Sequence, residues 1–315
     1  MIRTFTMNPA VDVSLSVDQL VPVHKLRATS SVREAGGGGV NVARLLTRLG
    51  ADVEGVVAVG GATGAAVVAA LADAGVAVTE LSVDGATRES IQIHDEANDL
   101  RYRIVVDGPP LTESVDSTVE LLREQATPSV NVFSGSLPVS CPATIYADLS
   151  LVHPSAFTIV DTSGDALRAS LSGSVDLLKP SLRELEGLAG QEIADAGELE
   201  TVMVELLRRH PSLGSVLTSL GGAGAVLCQR EQPLLHFCPP DVPVVSAVGA
   251  GDSLVAGVAW GVSRGEDLVN ACRFGIAAGT ATVATPGTAL CSAASALELL
   301  ADVDATELRP DHPIR

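Results

Sequence analysis

Short runs rich in β-branched residues alternate along this chain with longer Ala/Leu-rich stretches, and that rhythm restricts the fold more than any other feature. Ile2–Thr6, Val56–Val59, Val130–Phe133, Phe157–Asp161, Val175–Leu178, Ser215–Ser219 and Ala225–Cys228 read as strands. Between many of them lie patterns of helical period, such as Val42, Leu45, Leu46 and Leu49 at i, i+3, i+4 and i+7. The alternation predicts an α/β fold, an open parallel sheet with helices on both faces. Composition agrees: hydrophobic residues make up 46% of the 315 and aromatics only 3%, so the core must be built from Ala, Val, Leu and Gly. Such small side chains let helices pack closely on a buried sheet.

Two stretches break the rhythm. Residues 11–32 alternate without a helical period, and Glu89–Val106 reads as a hairpin with a polar turn at Asp95–Asp99. Both suit strands outside the main sheet. A small sheet cannot bury both of its faces alone, so it must cover an active-site mouth or a partner subunit.

The formal net charge is −18, from 38 acids against 20 bases. A surface that negative repels a phosphate backbone and argues against nucleic-acid binding. It still permits a phosphorylated small molecule where cations cluster locally. Cys141, Cys228, Cys238, Cys272 and Cys291 form no CxxC pair and the histidines show no zinc spacing, which suits reduced thiols. The start MIRTFTMNPAVD lacks the pattern of a secretory signal, and no apolar run is long enough to span a bilayer. The expectation is a soluble cytoplasmic protein.

Ligands of open α/β sheets bind beyond the carboxyl ends of the strands. Four polar or Gly-rich segments follow expected strands: Ser134–Ser136, Asp161–Gly164, Lys179–Glu184 and Ser219–Gly224. Neither GxxxxGK[ST] nor GxGxxG is present, which disfavours a P-loop NTPase or a dinucleotide-binding dehydrogenase. Gly249-Ala250-Gly251-Asp252-Ser253 remains, followed by Leu254, Val255, Val258 and Val262 at helical spacing. Small residues ahead of a helix let backbone N–H groups converge on an anion. An aspartate there can be a helix cap, or the base that takes a hydroxyl proton during phosphoryl transfer. A second cluster, Gly36-Gly37-Gly38-Gly39, also precedes an amphipathic helix, with Asn41 expected in its first turn. Four glycines are entropically expensive, and close approach of a ligand would account for them better than a flexible hinge.

These clusters, in this order, resemble the ribokinase-like sugar kinases of the PfkB family. The resemblance runs from Thr6–Asp12 through Gly36–Arg44, Gly60–Gly64, Ser134–Pro138, Ile159–Asp161 and Ser219–Gly221 to Val248–Ser253. It implies a ribokinase-like three-layer sandwich, with one kinase domain over 1–315 and a small β-sheet lid from about 11–34 and 87–107. Within the family, Lys25-Leu26-Arg27 resembles the minor 6-phosphofructokinase branch. The 1-phosphofructokinase and tagatose-6-phosphate kinase relatives usually carry lysine where this chain has Gly38.

The resemblance implies transfer of the ATP γ-phosphoryl group to the 1-hydroxyl of fructose 6-phosphate. Asp252 would be the base, with Gly249, Ala250 and Gly251 as the anion hole. Asp12, Gly37, Gly38, Gly39, Asn41 and Ser136 would line the sugar, and Lys25, Arg88 and Arg103 would hold its phosphate. Lys179, Ser181, Ser219, Gly221, Gly224, Ser246 and Val248 would line the ATP site. Glu184 and Asp161 would meet Mg²⁺ through water, and a K⁺ site near Thr285–Ala289 stays open. The chain departs from the family at Ser181, where asparagine is common, and at Ala247, where threonine is common. A homodimer joined through the lids is expected. Kinases of fructose 1-phosphate or tagatose 6-phosphate, and a non-catalytic sugar-phosphate or nucleotide sensor, stay open as alternatives.

Overall fold

The computed structural model describes residues 1–112, 114–287, 289–309, 312 and 314. Its strands are β1 (Ile2–Thr6), β2 (Ala10–Val17), β3 (Ser30–Gly36), β4 (Val53–Val59), β5 (Ala77–Ser82), β6 (Arg88–Asp95), β7 (Leu100–Val105), β8 (Val130–Ser134), β9 (Phe157–Asp161), β10 (Val175–Leu178), β11 (Leu213–Ser219), β12 (Ala225–Gln229), β13 (Leu235–Cys238) and β14 (Asp304–Glu307). Ten of them form one sheet in the order β14-β13-β12-β11-β10-β9-β8-β1-β4-β5. Neighbours pair in parallel from β5 to β11 and antiparallel from β11 to β14. Each strand expected from sequence is present, several with longer ends. Three were not foreseen. β5 and β14 are partly exposed edge strands with acidic residues, and β13 is only four residues long and contains a histidine, so none carries a clean apolar signal.

The central strands bury both faces, as helix-covered parallel strands must. Phe5, Val56, Phe133 and Val160 sit in one core, while Ile2, Val57, Val132 and Ile159 sit in the other. The few aromatics concentrate at contacts such as Phe5 on Phe133, with ring centroids 4.3 Å apart. Elsewhere small residues set the spacing. A Cβ on Gly257 of the helix Ala250–Ser263 would lie 2.7 Å from Gly275 Cα of the helix Leu268–Val283. This close pair fixes the helix that begins at the expected catalytic segment.

The remaining four strands make a second sheet in the order β3-β2-β6-β7. β2 pairs parallel with β6, aligning Asp12 with Ser90 and Ser14 with Gln92. The hairpin expected at Glu89–Val106 appears as β6 and β7. One face of this sheet is polar, with Asp12, Ser14, Ser90, Gln92 and Arg103. The other carries Val11, Val13, Leu15, Ile91, Ile93, Tyr102 and Ile104, in keeping with the two-residue period of strands. No helix of the described residues is long and apolar enough to cross a membrane.

Candidate active site

Two helix N-termini meet at the carboxyl edge of the main sheet. One helix is Ala250–Ser263, entered through Gly249 at φ 79°, a left-handed conformation that favours glycine. The other is Gly38–Arg48, entered through Gly37 at φ 113°. No side chain caps either start, so the first-turn N–H groups remain available to a ligand. Asp252 is not an N-cap. That position belongs to Gly249, and the Asp252 carboxylate instead accepts a 2.7 Å hydrogen bond from Asn41 Nδ2 on the facing helix. Asn41, expected toward the sugar, thus gives its amide to the aspartate. Burial pushes the Asp252 carboxyl up to about 6, with the Asn41 bond pulling down and Asp161 pushing further up.

The second glycine cluster corrects the sequence reading. Its glycines do not all precede the helix, because Gly38 and Gly39 lie inside it. They are needed by the protein itself. A Cβ on Gly39 would lie 2.5 Å from the Phe5 carbonyl oxygen, one on Gly38 2.9 Å from the Gly135 nitrogen, and one on Gly36 2.6 Å from Asp12 Cγ. The close approach is of helix and β3 to β1, β2 and the segment after β8. Gly251 is different, since a Cβ there would meet nothing within 4 Å. Its bareness leaves the space in front of this helix start open.

Lys179 and Asp161, from the ends of β10 and β9, form a buried ion pair at 2.9 Å. Burial disfavours the ammonium, but Asp161, Glu184 and Asp252 outweigh it and hold Lys179 above the usual lysine range. Ser181 caps the helix Leu182–Ala189 in a capping box: Glu184 Oε2 accepts from the Ser181 N–H at 2.7 Å and from its hydroxyl at 2.8 Å. Serine at this departure from the family pattern therefore orients the glutamate. Among the described residues no three His, Cys, Asp or Glu side chains gather as metal ligands.

A pocket of about 360 Å³ beside this cluster is lined by Ser181, Leu182, Arg183, Ser219, Gly221 and Ile314. On the other side of Asp252, a cleft of about 170 Å³ is lined by Asp12, Ser14, Ser90, Gln92, Val248 and the β7 run Arg101-Tyr102-Arg103. Burial raises the Asp12 carboxyl, opposed by Arg103, a Ser90 hydrogen bond and Arg88. The Arg88 guanidinium donates to the carbonyls of Asn8 at 3.1 Å and Val106 at 3.3 Å, while its buried Nε has no hydrogen-bond partner among the described residues. The exposed Ser136 hydroxyl accepts from Asn8 Nδ2 at 3.3 Å.

Four expected positions differ. Val248 lines the Asp12–Arg103 cleft instead of the nucleotide side. Ser246 is buried, with its hydroxyl donating to the Gly287 carbonyl at 2.7 Å. Gly224 is enforced by packing: a Cβ there would lie 2.9 Å from Pro239 Cδ and closer still to the Phe237 carbonyl oxygen. Lys25 lies exposed in the connection between β2 and β3, and among the described residues nothing joins it to Arg88 or Arg103. That stretch has no buried side chain to draw it to the cleft. Thr288 of the expected K⁺ loop is outside the described residues. Sequence reasoning missed Ser14, Ser90 and Gln92, which polar alternation along β2 and β6 signals.

Phosphate-ready helix starts, a half-buried carboxylate between them and a cleft on each side together define a kinase-like site, and a model of the pfkB family carbohydrate kinases matches residues 6–295. The chain belongs to the pfkB family of carbohydrate kinases. It is 39% identical over 295 residues to the ATP-dependent 6-phosphofructokinase isozyme 2 of Mycobacterium tuberculosis, covering 92% of this chain and 86% of that one. It is 35% identical over 298 residues to the isozyme 2 of Escherichia coli K12, covering 92% and 95%. Phosphofructokinase-2 from E. coli, solved in complex with potassium, superposes with a TM-score of 0.89 at 34% identity, covering 96% of this chain and 98% of that one. The three-layer ribokinase-like architecture expected from sequence is borne out, and the kinase carries a smaller separate sheet.

Proposed function

We propose that this kinase is a 6-phosphofructokinase that transfers the γ-phosphoryl group of ATP to the 1-hydroxyl of fructose 6-phosphate. The observation that carries the proposal is the half-buried Asp252 carboxylate, bonded to Asn41 at two facing helix starts, beside a cleft holding Asp12 and Arg103. Arg103 and Arg88 are among only 20 cations in 315 residues, and this cleft is where their charge would meet a sugar phosphate. Arginine's planar fork suits phosphate oxygens.

In this reading Asp12, Ser90 and Asn41 orient the sugar hydroxyls, and Asp252 accepts the proton of the attacking hydroxyl. The N–H groups from Gly249 to Gly251 face the charge that develops on the transferring group. Lys179 and the turn at Ser219–Gly221 hold the nucleotide. The family implies a divalent cation, and we take it as Mg²⁺. With no cluster of three carboxylates among the described residues, the donor set fits an ion carried on the nucleotide's phosphates. Glu184 and Asp161 would hold it through water, and the ion would neutralise phosphate charge. A K⁺ site at the loop around Thr285 draws support from the potassium complex of the E. coli relative.

The smaller sheet serves as a lid on a single kinase domain, and the exposed apolar side chains of β7 suit a homodimer. The five cysteines are all free, which fits a reducing cytoplasm. The test is coupled ADP release across fructose 6-phosphate, fructose 1-phosphate, tagatose 6-phosphate and ribose. Fructose 6-phosphate should give the highest kcat/KM. Preference for another sugar would reassign the substrate, and ADP release with none would favour a sensor.

A further inference from the structure

We infer that His236 is a positioning residue for the turn Gly221–Ala223, holding it from behind in the shape that receives the nucleotide. The inference rests on the proposed assignment of that turn to ATP. His236 lies on β13, is 2% exposed and is not part of the phosphoryl-transfer cluster. Its Nε2 lies 2.7 Å from the Ala223 carbonyl oxygen. A carbonyl only accepts, so Nε2 carries the hydrogen. The ring is held on its other sides: Cys238 Sγ lies 4.0 Å from Nδ1, and the His312 ring packs with centroids 4.7 Å apart.

The turn needs such a support. Its internal bonds run from Leu220 N–H to the Gly224 carbonyl at 2.8 Å, from Ala223 N–H to the Leu220 carbonyl at 3.2 Å and from Gly224 N–H to the Gly221 carbonyl at 3.1 Å. None of them uses the Ala223 carbonyl oxygen itself, which accepts from His236. A Cβ on Gly221 or Gly222 would meet nothing within 4 Å, so the front of the turn is open, and Gly221 lines the pocket with Ser181, Ser219 and Ile314. Consecutive glycines with no side-chain contacts hold a single shape poorly. An apolar residue at position 236 would fill the same space without a donor. What histidine adds is a donor to the back of the turn, and burying that ring costs desolvation unless the bond is made.

The experiment compares His236→Leu, which keeps bulk and loses the donor, with His236→Gln, whose Nε2 reaches the place of the imidazole Nε2. His236→Asn, whose amide falls short of Ala223, replaces the leucine variant if that one fails to fold. In the full-length chain, ATP affinity is read by calorimetry without sugar, and both KM values and kcat by ADP release. His236→Leu should weaken ATP binding about tenfold, the scale of one buried hydrogen bond, and raise the ATP KM alike. The sugar-phosphate KM and kcat should stay within about twofold, and His236→Gln should restore most of the ATP affinity. Unchanged ATP affinity in His236→Leu or His236→Asn overturns the inference. So does a joint fall of all parameters that glutamine does not rescue, the mark of a packing residue. A wild-type chain that binds no ATP overturns the nucleotide assignment first, and the inference with it.

Discussion

Asn41 Nδ2 donates to Asp252 Oδ2 across 2.7 Å, joining the first turns of two helices that are 211 residues apart in sequence. The bond holds the carboxylate at the start of the helix that follows Gly249. Asp252→Asn keeps an acceptor for Asn41 and removes the base. It should lower kcat by several orders of magnitude while ATP affinity by calorimetry stays within a few-fold. Turnover at the wild-type rate would remove Asp252 from its role.

The same carboxylate sets a pH dependence. Burial raises its pKa to about 6. A base works only when ionised, so kcat/KM for the sugar phosphate should fall as pH drops below about 6. Asn41→Ala removes the bond that favours the ionised form and should move this acid limb to higher pH. A limb at the same pH in both proteins would show that another group controls it.

Stability should run the other way. The native pKa lies above the unfolded value of 3.8, so the folded chain binds the extra proton between these values and loses stability as pH rises through that window. Two units correspond to about 3 kcal/mol. Asp252→Asn should therefore raise Tm above pH 7 by a few degrees and leave it nearly unchanged near pH 4. Thermal scans of both proteins across this range read the difference, and a gain of equal size at both ends would contradict the linkage.

Much of this site was legible before the structure because backbone chemistry marks it. Gly249, Gly251 and Asp252 form an anion-binding signature whose local geometry follows from the residues themselves. The strands behind them announce themselves by apolar runs. What stayed hidden was contact between distant segments. Nothing in Gly36–Gly39 says that its neighbours are Phe5, Asp12 and Gly135, so the packing that also demands these glycines went unread. Lys25 was placed at the cleft by resemblance, whereas its position depends on a connection with no buried anchor.

That correction separates two glycines that look alike in sequence. Gly39→Ala drives a methyl group against Thr6 and the Phe5 carbonyl and should destabilise the fold by about 1–3 kcal/mol. Gly251→Ala meets open space and gains helix propensity of up to ~1 kcal/mol. Its methyl group intrudes where the phosphoryl group passes, so kcat should fall while stability holds or rises. Urea unfolding and kcat on both variants test the contrast, and equal loss of stability in the two would refute it.

The lid makes the last prediction. β7 is the edge of the small sheet, and Leu100, Tyr102 and Ile104 are 50%, 39% and 52% exposed on the side opposite Arg101 and Arg103. Across the ladder Tyr102 faces Ile93 and Ile104 faces Ile91, so the apolar side chains form one continuous patch. A bare edge with an apolar face invites pairing, and the polar face is already turned to the cleft. A second copy of this face would cover it, placing two clefts beside one joint. Tyr102→Asp with Ile104→Asp puts charge in the centre of such a contact, where desolvating it is costly. By light scattering the wild-type chain should be a dimer and the double variant a monomer with unchanged far-UV circular dichroism. A wild-type monomer, or a double variant that stays dimeric, would place the joint elsewhere.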